Sequence, residues 1–134
     1  MTRNFKNLKI YQKSYSFLLE VYAALPLLPD SEARNMFSQL QRASTSIVLN
    51  IVEGSSNRSN KVFLNHLQYS YGSCKEVEVL LLLARDLHYF DDVLFTSLSS
   101  LLDELSAYIY RFMLSVDREI SVSKNNFSFS RVVK

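Results

Sequence analysis

The chain has 134 residues, with 48% hydrophobic and 21% charged residues, which is the composition of a single globular domain and not of a disordered chain. Only 2 Gly and 2 Pro occur, too few for the turns of an all-β fold, and a net charge of +2 does not by itself identify a polyanionic partner. The single cysteine, Cys74, excludes an intrachain disulfide framework and a multi-cysteine zinc site and suits a reducing compartment, so a cytoplasmic location is expected. The longest apolar run, residues 79–84, is far short of a membrane span, and the N-terminus has no secretory pattern.

Apolar spacing organises the chain into helices. Leu8, Tyr11, Tyr15, Leu18, Leu19 and Tyr22 recur at steps of three and four and predict one buried face. Pro26 ends this first helix, because it disfavours helical geometry at Leu25 and removes a backbone donor. Asp30 or Ser31 is the expected cap of a second helix with the stripe Met36, Leu40, Ala43, Ile47 and Ile51, and Gly54 is its expected terminator. Ser59 caps a third helix reaching about His88 through Phe63, Leu67, Ser70, Cys74, Val77, Leu81 and Ala84. Asp91 or Asp92 caps a fourth, whose stripe runs from Leu94 through Leu98, Leu105 and Ile109 to Val116. Short connections make consecutive helices antiparallel, so the expected fold is all-α: an up-down-up-down four-helix bundle over residues 1–119. Residues 120–134 lack a helical period and are expected to form a poorly ordered tail, with Phe127, Phe129, Val132 and Val133 alternating with polar neighbours.

Two polar stripes exceed what a simple bundle needs. Gln39, Arg42, Ser46, Asn50 and Glu53 share one side of the second helix, and Asn65, Tyr69, Gly72 and Glu76 share one face of the third. Amides, hydroxyls and tyrosines at this spacing predict a semi-buried network or a subunit interface, with Arg42 pairing Glu53 or Glu76. Gly72 within a helix costs about 1 kcal/mol relative to Ala, so a close approach is expected there.

The segment Gln39-Leu40-Gln41-Arg42-Ala43-Ser44-Thr45-Ser46-Ile47-Val48-Leu49-Asn50-Ile51-Val52-Glu53-Gly54 resembles the "QLRRAAxSIxxNIxEG" stretch of the 23S rRNA-intervening-sequence proteins, also called the four-helix-bundle protein family. The block from Ser59 to Ala84, with Tyr71-Gly72-Ser73-Cys74-Lys75-Glu76-Val77-Glu78, is similar to a second family stretch, and Phe5 to Ser14 to its opening. Departures are Tyr11 for Trp, Gln41 for a second Arg, Val48 for Pro and Val62 for Glu; the missing Arg lowers the charge of that segment. The resemblance implies an antiparallel four-helix bundle, in some members a ring-shaped homopentamer, and no enzymatic activity. A distantly similar bundle is an accessory factor of reverse transcriptases that binds the enzyme and RNA.

Chemistry-bearing residues do not assemble into a catalytic pattern. His66 and His88 lie about 33 Å apart along one predicted helix. Cys74 falls on the apolar stripe as a small hydrophobe, and no Glu-x-x-His pair, phosphate loop or nucleophile elbow occurs. No catalytic residue, cofactor, metal or small-molecule substrate is expected. Charge is segregated: Arg3, Lys6, Lys9 and Lys13 occupy the first fifteen residues without an acid, and Arg58 and Lys61 sit at the second turn. The fourth helix sets Asp91, Asp92, Asp103, Glu104 and Asp117 against Arg111. These basic residues are the RNA-contact candidates, with Tyr11 or Tyr15 placed to stack on bases. The expected protein is a homo-oligomer, a pentamer by resemblance, that binds RNA or an RNA-handling protein, with a purely structural interaction bundle as the alternative.

Overall fold

The computed structural model describes the backbone of residues 4–133 and the side chains of residues 4–125. Four α-helices follow a short 3-10 turn at Phe5–Asn7: α1 (Lys9–Ala24), α2 (Met36–Ser55), α3 (Asn60–Asp86) and α4 (Asp92–Val133). Among the described residues there is no strand.

Contact pairs fix the direction of each helix. Ser73 meets Ser46, Ser70 meets Ile47 and His66 meets Asn50, so α2 and α3 run antiparallel. Phe63 packs edge-on against Phe112 at 5.5 Å between centroids, while Arg85 lies over Phe95, so α4 returns antiparallel to α3. Lys13 meets Glu104 and Lys9 meets Tyr108, which closes α4 onto α1. The result is a square bundle in which each helix packs on its two neighbours. Its core holds Phe17, Phe63, Leu40, Ile47, Leu67 and Leu105, each almost without solvent contact.

The face of α1 differs from the expected one. Ile10, Ser14, Phe17, Val21 and Ala24 are buried, whereas Tyr15, Leu19 and Tyr22 are about half exposed and Leu18 is half-buried. Helix α1 is apolar on two sides, so spacing alone permits either. The wholly apolar Ile, Phe and Val enter the core, and the tyrosines stay where their hydroxyls remain wet. Ser14 is tolerated inside because its hydroxyl donates to the Tyr11 carbonyl at 2.9 Å.

Pro26 ends α1 as expected, in a 3-10 turn over Leu25–Leu27. Asp30 and Ser31 do not cap α2; Asp30–Glu32 form a second 3-10 turn, and α2 starts only at Met36, whose side chain is buried. The two 3-10 turns bridge the bundle end while Leu25, Leu28 and Met36 close the core there. Ser59 caps α3 by accepting from the Val62 amide at 3.3 Å, and Asp91 caps α4 by accepting from the Leu94 amide at 2.8 Å. Helix α3 stops at Asp86, two residues before the expected end, in a Schellman closure: Tyr89 N donates to Ala84 O and His88 N to Arg85 O, both at 2.9 Å. His88 takes the left-handed conformation there, with φ 63°. Helix α4 continues to Val133, through the segment expected to lack helix, because no Gly or Pro interrupts the chain after Asp92. The side chains of the alternating residues from Phe127 onward lie outside the described ones.

Neither glycine takes the role expected of it. Gly54 does not end α2; it is buried within the last turn, where a Cβ would lie 2.7 Å from His66 Cβ and 2.8 Å from Phe63 Cδ1. Gly72, expected to admit a close neighbour, has nothing within 4 Å of the place its Cβ would take. The close α2–α3 approach therefore depends on Gly54. Substitution Gly54→Ala is expected to destabilise by about 1–3 kcal/mol through overpacking, read as a lower denaturation midpoint. His88→Gly is expected to stabilise by about 0.5–1 kcal/mol, since relief of the left-handed penalty exceeds the entropy glycine adds to the unfolded chain.

Candidate nucleic-acid interface

The antiparallel topology gathers basic residues that are distant in sequence. The start of α1, the α2–α3 turn and the second half of α4 share one end of the bundle, as the contacts of Lys9 with Tyr108 and of Asn60 with Glu119 show. Lys6, Lys9, Arg58, Lys61, Arg111, Arg118 and Lys124 are all exposed at this end. Lys61 and Lys124 flank a groove of about 400 Å³ that includes Ser59, Asn60, Ile120 and Ser123. Acids here are Glu53, Asp117 and Glu119, the last accepting from Asn60 at 3.2 Å. The opposite end carries Asp30, Glu32, Asp86, Asp91 and Asp92, with Arg34 and Arg85 as counter-charges. Arg85 is already held by Asp86 at 3.0 Å. Arg3, the remaining candidate, lies outside the described residues.

Within the basic end the side chains are not equivalent. Lys9, Lys13 and Arg111 surround the Tyr108 ring at 5.5, 4.7 and 4.8 Å from its centroid. Lys13 also pairs with Glu104 at 2.6 Å. That hydrogen bond raises the Lys13 pKa and lowers that of Glu104. Lys13 is thus committed to clamping α1 on α4, while Lys6, Lys9 and Arg111 make no direct ion pair with a carboxylate among the described residues. Tyr11 and Tyr15 stack at 5.9 Å with an interplanar angle of 22°, and Phe5 closes edge-on against Tyr11 at 4.9 Å.

The polar stripes separate into an inner and an outer set. Ser46, Asn50 and Glu53 of α2 face His66, Ser70 and Ser73 of α3. Ser73 Oγ donates to Ser46 Oγ at 3.0 Å, Asn50 Nδ2 donates to the same oxygen at 3.1 Å, and His66 Nδ1 donates to Asn50 Oδ1 at 3.0 Å. Ser70 Oγ donates to the Ile47 carbonyl at 2.9 Å, and Glu53 Oε2 stands 3.9 Å from His66 Nδ1. Among the described residues every buried side-chain nitrogen and oxygen is partnered, so this network binds two helices together.

The other candidates lie outside it. Asn65, Tyr69, Gly72 and Glu76 are exposed, one residue and hence about 100° away from the α3 face that meets α2. Gln39 is exposed and bonds only locally to Asn35, at 2.5 Å, and Arg42 makes no ion pair among the described residues. The expected pairing of Arg42 with Glu53 or Glu76 is therefore not made within the chain; the helices turn those residues outward. Spacing alone does not single out the true α3 partners, because 66, 70 and 73 and equally 65, 69 and 72 repeat the 0, 4, 7 offsets of 46, 50 and 53.

No metal-holding group of three or more His, Cys, Asp or Glu occurs among the described residues. No helix among them is long and apolar enough to cross a membrane. Cys74 is buried, and desolvation pushes its thiol up to about 11. Native protein at pH 7–8 is accordingly expected to resist alkylation at Cys74 and to react fully once unfolded, as intact mass would show.

Comparison with known proteins places this architecture. No curated protein matches the chain. A crystal structure of a protein of unknown function from the S23 ribosomal protein family of Bacteroides thetaiotaomicron VPI-5482 superposes with a TM-score of 0.72 at 23% identity, over 78% of this chain and 97% of that one. At that identity the likeness shows the fold. A family model described as 23S rRNA-intervening sequence protein matches residues 6–111, which takes in α1 to α3, the inner network and α4 as far as Arg111. The chain belongs to the 23S rRNA-intervening sequence protein family.

Proposed function

We propose that the protein is a non-enzymatic, homo-oligomeric helical scaffold that binds RNA through the basic end of its bundle. The observation that carries this reading is the convergence there of Lys6, Lys9, Arg58, Lys61, Arg111 and Lys124 from three separate stretches of sequence. Phosphate contacts by such side chains supply affinity without base choice, and a cyclic oligomer multiplies the patch. The family description, which names the intervening sequence of 23S rRNA, supports a partner of this class. A non-enzymatic role is supported by the separation of the titratable groups: His66 is spent on the α2–α3 network, Cys74 is buried and His88 closes a turn. Homo-oligomerisation, as the pentamer that the family resemblance implies, is supported by large apolar side chains on outward helix faces, among them Tyr15, Leu19, Tyr69 and Val79. The same surfaces favour the second reading, a protein-interaction bundle without RNA.

Retention of labelled single-stranded RNA across a salt series tests the RNA reading. Affinity is expected to fall with salt. The reversals Lys6→Glu, Lys9→Glu and Lys61→Glu together are expected to weaken it and to flatten the log–log slope by about 0.7 for each phosphate no longer neutralised. Absence of retention at low salt, or a slope untouched by the three reversals, would overturn direct RNA binding at this end.

A further inference from the structure

We infer that the outward stripe of α2 in one copy of this chain packs against the outward stripe of α3 in the next, with Arg42 meeting Glu76 and Thr45 meeting Gly72. The inference rests on the homo-oligomer proposed above and names the surfaces that build it.

The α2 stripe consists of Ser38, Arg42, Thr45 and Leu49, and the α3 stripe of Asn65, Tyr69, Gly72, Glu76 and Val79. They span arcs of about 60° and about 80°. All are exposed except half-buried Thr45, and the apolar members are conspicuously so: Tyr69 at 69%, Val79 at 64% and Leu49 at 52%. Gly72 is the feature that nothing inside the chain explains. It interrupts a 27-residue helix, has φ in the ordinary negative range, and faces open space. A glycine in mid-helix without an internal neighbour is accounted for if a helix from outside approaches there.

The occupant follows from charge and level. Arg42 and Glu76 are an unpaired cation and an unpaired anion among the described residues, and one chain supplies both. The intrachain pairs Ser46–Ser73 and Ile47–Ser70 set Arg42 level with Glu76, Thr45 with Gly72 and Leu49 with Tyr69, although these residues point outward and do not meet. Rotation about an axis parallel to the bundle carries a copy sideways without changing levels. Across such a contact the same three pairs therefore come face to face. The short Thr45 side chain sits opposite the glycine, where the helices approach most closely, and Leu49 lies on Tyr69. The contact joins two different stripes of the same chain, so it repeats from copy to copy and closes into a ring where the rotation permits.

Sedimentation velocity of the full chain tests this, with far-ultraviolet circular dichroism confirming helix content. Wild type is expected at a multiple of 15.5 kDa. Gly72→Leu, Arg42→Glu and Glu76→Arg, all at exposed positions, are each expected to shift the population toward the 15.5 kDa protomer with helicity unchanged. The double variant Arg42→Glu with Glu76→Arg is expected to recover the wild-type mass. An assembled wild type whose mass survives Gly72→Leu and both single reversals overturns these surfaces and leaves the oligomer standing. A wild type at 15.5 kDa overturns both.

Discussion

The close packing of α2 on α3 is the constraint on which the rest of this molecule depends. At one end Gly54 lets α2 lie against His66 and Phe63, at a separation that excludes even a methyl group. Toward the middle, Ser70 reaches the Ile47 carbonyl and Ser73 reaches Ser46. Apolar burial drives the two helices together, but burial is non-directional and would tolerate a sliding register. The hydroxyl and amide contacts do not tolerate it, since a slip of one residue would leave their buried groups unpaired. The network thus specifies a register that the hydrophobic stripes alone leave loose.

Once that register is set, much else follows from it. The remaining face of α3 receives α4 through Phe63–Phe112, and α4 is drawn onto α1 by the Lys13–Glu104 pair and the Tyr108 ring. The exposed ion pair adds little energy by itself. Its value is positional: it fixes the level of α1 on α4, while competition for the core turns Ile10, Phe17 and Val21 inward and leaves a tyrosine-bearing face outside.

The same antiparallel path separates charge along the bundle. Basic residues near the N-terminus, at the α2–α3 turn and late in α4 meet at one end, and the acids of the other turns meet at the opposite one. A chain of net charge +2 thereby acquires a strongly polar long axis. Surface potential of this kind acts on encounter and on multivalent binding, where a small overall charge would predict nothing.

The all-α class, helix order and the caps at Ser59 and Asp91 were legible in the sequence, because apolar periodicity and capping chemistry are local properties. So were the membership of Leu40, Ile47, Leu67 and Leu105 in the core and the burial of Cys74. Family membership was legible too, in the segment from Gln39 to Gly54 and its companion from Ser59 to Ala84. What the sequence left open were the choices between neighbouring faces of one helix. Helix α1 is apolar on two sides, and only competition for the core decided for Ile10 and Phe17 over Tyr15 and Tyr22. On α3, residues 65, 69 and 72 and residues 66, 70 and 73 share one period, and only contact with α2 could select the second set. The two glycines show the same division. Composition marks both as unusual within a helix, yet what stands beside Gly54 and not beside Gly72 is a property of the packed bundle, where residues remote in sequence become neighbours.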